Sequence, residues 1–171
     1  MPVKQLLILR HAKSSWDDES IDDFHRPLNE RGWRAAKAMG EYLTTHGKQF
    51  DLILASQAER VVQTLRGLAE GGWRHGPVQF DPAIYHAGYQ ELLGIVQATS
   101  TDVRRLLVVG HNPTIGALAA QLSRNGGEEV LGKYPTGALA EIELDVDGWA
   151  DVAPNSGQLT AFVTPKSLFK D

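Results

Sequence analysis

The sequence predicts an α/β fold, a single three-layer domain over residues 1–171 with a mostly parallel central sheet. Three observations carry that expectation. Leu6 to Leu9, Asp51 to Ala55 and Leu106 to Val109 are short, near-continuous apolar runs, as strands buried on both faces require. The first two are followed by segments with helical periodicity, and the third runs through a turn into another, the β-α alternation of a parallel sheet. At 171 residues the chain is long enough to bury a substantial core and short enough to be one domain.

The first strand stops at Arg10 and His11, which fall at its carboxyl end, where open α/β sheets place their ligand crevice. Lys13 to Leu28 is rich in Asp, Ser and Glu without a period and reads as a loop. Asn29 then serves as N-cap of a helix through Trp33, Ala36, Met39 and Leu43, with Gly47 suited to a left-handed terminus. After the second strand, Ser56-Gln57-Ala58-Glu59 has the spacing of a capping box. It starts a helix bearing Val61, Val62, Leu65 and Leu68, so Arg60 lies in the first turn.

Glycines and prolines between Gly71 and Pro77 end that helix, and Val78 to Phe80 is a short strand. The segment around Ile84 and Tyr85 has no clear assignment, whereas Tyr89 to Ala98 is helical. Behind the third strand, Asn112 as N-cap and Pro113 at the first helical position launch a helix with Ile115, Leu118 and Leu122, so His111 stands at the crossing. Arg124 to Lys133 reads as a surface loop. Ala138 to Leu144 and Leu159 to Val163 alternate as strands with no helix between them, which suits a hairpin on one edge of the sheet.

Composition narrows the chemistry. Zero cysteines exclude disulfides, thiolate metal sites and a cysteine nucleophile together. Seventeen basic against 21 acidic residues give a net charge of −4, so no general attraction to nucleic acid or to an anionic membrane is expected. No secretory leader pattern or 18-residue apolar span is present, and a cytoplasmic location is the default expectation. His25, His46, His75 and His86 lack the paired spacing of zinc ligands, and no metal or cofactor is expected; His86 is the one placed to border a pocket. Ser14 and Ser15 lack a hydrolase elbow, and no glycine-rich piece ends as a nucleotide P-loop does.

Three β-α junctions thus present Arg10 with His11, then Arg60, then His111, on the side of the sheet where parallel strands all end. Guanidiniums can grip phosphate oxygens through paired hydrogen bonds, one imidazole can attack phosphorus, and another can stabilise the transferring group. Phosphoryl transfer rests mainly on such positioning and charge stabilisation.

The chain resembles the histidine phosphatase superfamily, most closely its compact SixA-like phosphohistidine phosphatase branch. Five motifs carry the likeness in order: Leu9-Arg10-His11-Ala12-Lys13-Ser14, Arg26-Pro27-Leu28-Asn29-Glu30-Arg31-Gly32, Ser56-Gln57-Ala58-Glu59-Arg60, Gly110-His111-Asn112-Pro113 and Tyr134-Pro135-Thr136-Gly137. The resemblance implies that His11 is the nucleophile that becomes phosphorylated. Arg10, Arg60 and His111 would complete the phosphate pocket, with Arg26 a further phosphate-binding arginine. Ala12 departs from the glycine more usual after the Arg-His pair. Lys13 is either an added local charge or a solvated side chain.

Between Arg60 and His111 the sequence is filled by a helix, a short strand and a second helix, which leaves no room for the helical lid of larger superfamily members. An open pocket favours a phosphate displayed on a protein, such as a histidine phosphotransfer domain, over an enclosed metabolite. Hydrolysis of small phosphate esters or other phosphoproteins is the alternative within the enzyme class, and a non-catalytic phosphate-binding module is the alternative outside it. The loop carries Asp17, Asp18, Glu19, Asp22 and Asp23, none of which stands out as the general acid.

Overall fold

The computed structural model describes residues 3–169. Six strands form one sheet: β1 (Lys4–Arg10), β2 (Leu52–Ala55), β3 (Val78–Phe80), β4 (Arg105–Gly110), β5 (Leu139–Leu144) and β6 (Gly157–Val163). Their order is β3-β2-β4-β1-β5-β6, with the first four parallel, β5 antiparallel to β1, and β6 antiparallel to β5. The mostly parallel sheet and its edge hairpin are therefore both present.

Strand alternation divides the interior into two layers. Leu6 and Ile8 of β1, with Leu106 and Val108 of β4, face a core built with α3 (Tyr89–Gln97) and α4 (Thr114–Leu122). Leu7 and Leu9, with Leu107 and Val109, face the opposite core of α1 (Glu30–Thr45) and α2 (Glu59–Glu70). Both faces of the central strands are buried, which is why they read as unbroken apolar runs. Asn29 caps α1 through its side chain, 2.8 Å from the Gly32 amide, and Gly47 ends it at φ +62°, both as expected.

Several local expectations are corrected. Ser56 is not the cap of α2: the helix begins only at Glu59, Ala58 holds the cap position with no side-chain bond, and the Ser56 hydroxyl accepts from the Ala58 amide at 3.2 Å and lies 2.8 Å from His111 Nε2. Pro113, not Asn112, immediately precedes α4, while the Asn112 side chain accepts from the Gly116 amide at 3.0 Å. Arg124 to Lys133 is not simply a loop, since it contains α5 (Gly127–Gly132), whose Val130 is fully buried in the core. Six residues are too few to show a helical period in the sequence.

The segment from Lys13 to Leu28 is irregular, with a single-turn 3₁₀ helix at Asp23–His25 and a bridge between Ser14 and Leu28. A short α6 (Pro165–Leu168) follows β6 and packs on α1. Between α2 and α3 lie only β3 and a turn at Pro82–Ile84, so no helical insertion covers the ends of the strands. Among the described residues no helix is long and apolar enough to cross a membrane.

Candidate active site

The three neighbouring strands β2, β4 and β1 end level with one another. Arg10 lies opposite Gly110 and Ala55 opposite Val109, so His11, Ser56 and His111 leave the sheet along one edge. The His11 amide still donates to Gly110 O and the Ser56 amide to Val109 O, both at 3.1 Å, which extends the ladder into the site. The functional side chains are consequently held by sheet hydrogen bonds at their own backbones.

His11 is buried, and its Nδ1 lies 2.7 Å from the Ala12 carbonyl oxygen. A carbonyl only accepts, so Nδ1 carries the proton and Nε2 keeps its lone pair. Nε2 is 3.4 Å from Arg60 Nε. The ring's pKa is pushed down to about 3, first by burial and then by the charges of Arg60, His111 and Arg10, against the raising effect of the Ala12 bond.

His111 faces His11 with ring centroids 5.3 Å apart. Its Nε2 is 2.8 Å from Ser56 Oγ, which directs Nδ1 towards Arg60 Nη2 at 3.3 Å. Burial and then the Arg60 charge lower its pKa to about 4, with Asp23 opposing and Arg10 and His86 adding smaller effects. Both imidazoles are thus neutral at pH 7.

The arginines come from three different elements. Arg10 Nη1 donates to Tyr134 O at 2.8 Å, and the Gly137 amide closes on the carbonyls of Arg10 and His11 with φ +77° at Gly137. The Tyr134 to Gly137 motif is therefore the turn that walls the Arg-His pair. Arg60 projects from the first turn of α2, as expected, and donates through Nη1 to Asp23 O at 2.8 Å and through Nη2 to Asp23 Oδ2 at 3.1 Å. Arg26 stacks over the Trp16 ring at 3.5 Å and bonds Asp23 Oδ1.

Arg10, His11, Arg26, Arg60 and His111 line one open cleft of about 330 Å³, together with Lys13 and Thr136. All five residues expected at the site are brought together. The Nε atoms of Arg10 and Arg26 are buried with no hydrogen-bond partner. A buried guanidinium donor without an acceptor is costly, and an oxyanion in the cleft would supply one. Among the described residues no group of three His, Cys, Asp or Glu side chains has the arrangement of a metal site.

Four contributors escaped the sequence reading. Asp23 ties together Arg26, Arg60 and the Tyr85 hydroxyl, and burial raises its pKa less than Tyr85, Arg60 and Arg26 jointly lower it. Its three-residue spacing from Arg26 was the available signal. Tyr85 comes from the unassigned stretch and packs edge-on to His111 at 5.4 Å. The spacing of Ser56 to Glu59 fits a helix cap, and Trp16 lies in no periodic context. Lys13 is exposed at the cleft mouth, and His86 lines a smaller adjoining pocket with Tyr85 and His111. His25, His46 and His75 are exposed and make local bonds elsewhere.

Comparison with known proteins gives a consistent result. Residues 6–99 match the family model of the histidine phosphatase superfamily (branch 1). The uncharacterized protein Rv1276c of Mycobacterium tuberculosis is 35% identical over 164 residues, covering 92% of this chain and all of that protein. The phosphohistidine phosphatase SixA of Escherichia coli is 28% identical over 149 residues, 84% of this chain and 88% of its own length. Among solved structures, a SixA protein from Nakamurella multipartitia superposes with a TM-score of 0.85 at 30% identity, covering 96% of this chain and 98% of that one.

Proposed function

The chain belongs to the histidine phosphatase superfamily, and from that premise we propose that it is a metal-independent phosphohistidine phosphatase acting through a covalent intermediate on His11. The observation that carries this reading is the unprotonated Nε2 of His11, held by the Ala12 carbonyl in a cleft lined by Arg10, Arg26, Arg60 and His111. In the first half-reaction Nε2 attacks phosphorus and the N–P bond to the substrate's imidazole breaks. The departing nitrogen keeps the bonding pair and takes a proton from solvent. In the second, water attacks phosphorus, loses a proton, and releases inorganic phosphate and free His11.

The guanidiniums of Arg10, Arg26 and Arg60 hold the nonbridging oxygens, and His111 supports the charge that develops as they spread apart. Entry of a dianion raises the pKa of His111, so its Nδ1 gains a proton when that proton is useful. Four cationic or proton-accepting groups supply the stabilisation that a metal supplies in other phosphatases.

Substrate choice follows from the leaving group and the open cleft. Asp23 is the carboxylate joined to the cage, and its low pKa keeps it ionised, which leaves no protonated carboxyl for an alkoxide. A general acid is typically worth about a hundred to ten thousandfold. A phosphohistidine, with its better leaving group, forgoes that less than an alkyl phosphate does. The test compares kcat/KM on a phosphohistidine-bearing protein with sugar and serine phosphates, in the presence of a chelator and with His11→Ala as blank. We expect at least about a hundredfold preference for phosphohistidine, the lower end of the acid contribution. Equal hydrolysis of a small alkyl phosphate overturns the substrate, and loss of all activity to the chelator overturns metal independence.

A further inference from the structure

A second and larger groove, of about 1110 Å³, adjoins the catalytic cleft. Lys13 and Thr136 line both, so the two are continuous. Its apolar surface comes from Phe162, Pro165 and Phe169, the last 55% exposed. Around these stand Lys13, Arg31, Arg34, Lys133 and Lys166, all exposed, against a single lining carboxylate, Glu129. Among the described residues none of the five cations takes part in an ion pair. The chain's net charge is −4, yet five cations and one carboxylate line this groove.

We propose that the groove docks an acidic segment of the phosphorylated protein substrate, whose apolar side chains rest on Phe162, Pro165 and Phe169 while its phosphohistidine enters the adjoining cleft. The inference rests on the proposed phosphohistidine phosphatase function and specifies its substrate. Charge complementarity identifies the occupant: separated cations around an apolar floor match a chain segment carrying several carboxylates and a few apolar side chains. The groove exceeds the usual range of small-molecule pockets, about 300–1,000 Å³, and lies to one side of the reacting phosphate. Docking there supplies the affinity that a lidless cleft cannot gain by enclosing its substrate.

The experiment uses two synthetic peptides of about twenty residues, sized to span such a groove. Each carries one central histidine and scattered leucines, one with glutamates and the other with glutamines in their place. Both are phosphorylated on histidine with phosphoramidate, which also serves alone as the small substrate. Wild type is compared with Arg34→Glu/Lys166→Glu and with the milder Arg34→Gln/Lys166→Gln, neither of which touches the catalytic cage.

For wild type, KM for the acidic phosphopeptide should be at least about tenfold below that for the glutamine peptide, and should rise steeply with salt. Both double variants should raise it, the charge reversal more, while phosphoramidate turnover stays unchanged. Fluorescence anisotropy of the unphosphorylated peptides should give the same order of binding. Equal KM values for the two peptides in wild type overturn the groove and leave the phosphatase standing. Selective binding of the acidic peptide without cleavage of either phosphopeptide overturns the phosphatase and leaves the groove standing. Preferential binding to phosphatidylserine vesicles over the acidic peptide would make the groove a membrane contact and overturn the proposal.

Discussion

His11 Nδ1 stands 2.7 Å from the carbonyl oxygen of Ala12, the next residue along the chain. That contact fixes the imidazole tautomer and exposes Nε2 as its free nitrogen. The phosphorylated intermediate should therefore carry phosphorus on Nε2 and not on Nδ1. Rapid quenching with phosphorus-labelled substrate, followed by NMR of the recovered label, reads the isomer directly. Label on Nδ1 or on a serine would remove His11 Nε2 as the attacking atom.

The two imidazoles make stability sensitive to acid. Their folded pKa values of about 3 and about 4 lie below the ordinary histidine value of 6.5, so protonation favours the unfolded chain. Each contributes stability that is fully present above about pH 6.5 and is lost as pH falls towards its folded value, at up to about 1.4 kcal/mol per pH unit. Urea unfolding at pH 7, 6 and 5 should show this decline, and His11→Gln should make it shallower. Vanadate should raise the His111 titration midpoint in NMR, since an anion in the cage favours the imidazolium. An acid slope that the His11 variant leaves untouched would contradict the neutral assignment.

Arg60 and Arg26 should differ in weight. Arg60 approaches both imidazoles and emerges from the first turn of α2, and losing one such preorganised donor commonly costs about a hundred to a thousandfold in kcat. Arg26 sits on an irregular segment against exposed Trp16, and removing one charged hydrogen bond there should cost about tenfold to a hundredfold. Alanine variants that fold normally should show that order. A reversal of the two would place the transferring charge nearer Trp16 than His11.

The sheet, its edge hairpin and the junction residues Arg10, His11, Arg60 and His111 were legible because apolar runs and β-α junctions are local signals, and parallel strands bring junctions together regardless of sequence distance. Arg26, on an irregular segment, was reached only through the resemblance carried by its Arg-Pro-Leu motif. Asp23, Tyr85 and Ser56 were not, because each earns its place through a contact across the chain. Asp23 is 37 residues from Arg60 and 62 from Tyr85, and Ser56 is 55 from His111. Ser56 also mimicked a helix cap, so a plausible local role hid a tertiary one. The α5 helix is illegible for the opposite reason, being too short to show a period.

Asp23 should act by positioning. Its pKa lies below the ordinary carboxylate value, and it spends its oxygens on Arg26, Arg60 and Tyr85. Asp23→Asn should lower kcat by a similar factor for phenyl phosphates whose leaving groups differ in basicity, because a misplaced Arg60 is indifferent to the leaving group. A penalty that grows with leaving-group basicity would instead make Asp23 the proton donor.

The Arg-Pro-Leu motif is joined through the backbone to His11, the proposed nucleophile. Asn29 N donates to Lys13 O and Ser15 N to Pro27 O, so the segment after His11 is laced to the start of α1. Gly32 makes that approach possible, since a Cβ there would lie 2.1 Å from the Lys13 carbonyl oxygen. Neither partner is a flexible side-chain end, so Gly32→Ala must displace the main chain beside His11 and Ala12. Overpacking of this kind typically costs about 1–3 kcal/mol. Urea unfolding should show that loss, and kcat on phosphoramidate should fall even under conditions where the variant is fully folded, because Ala12 O no longer holds the ring of His11 in register. A folded variant with wild-type kcat would show that the Lys13 segment can move without disturbing the nucleophile.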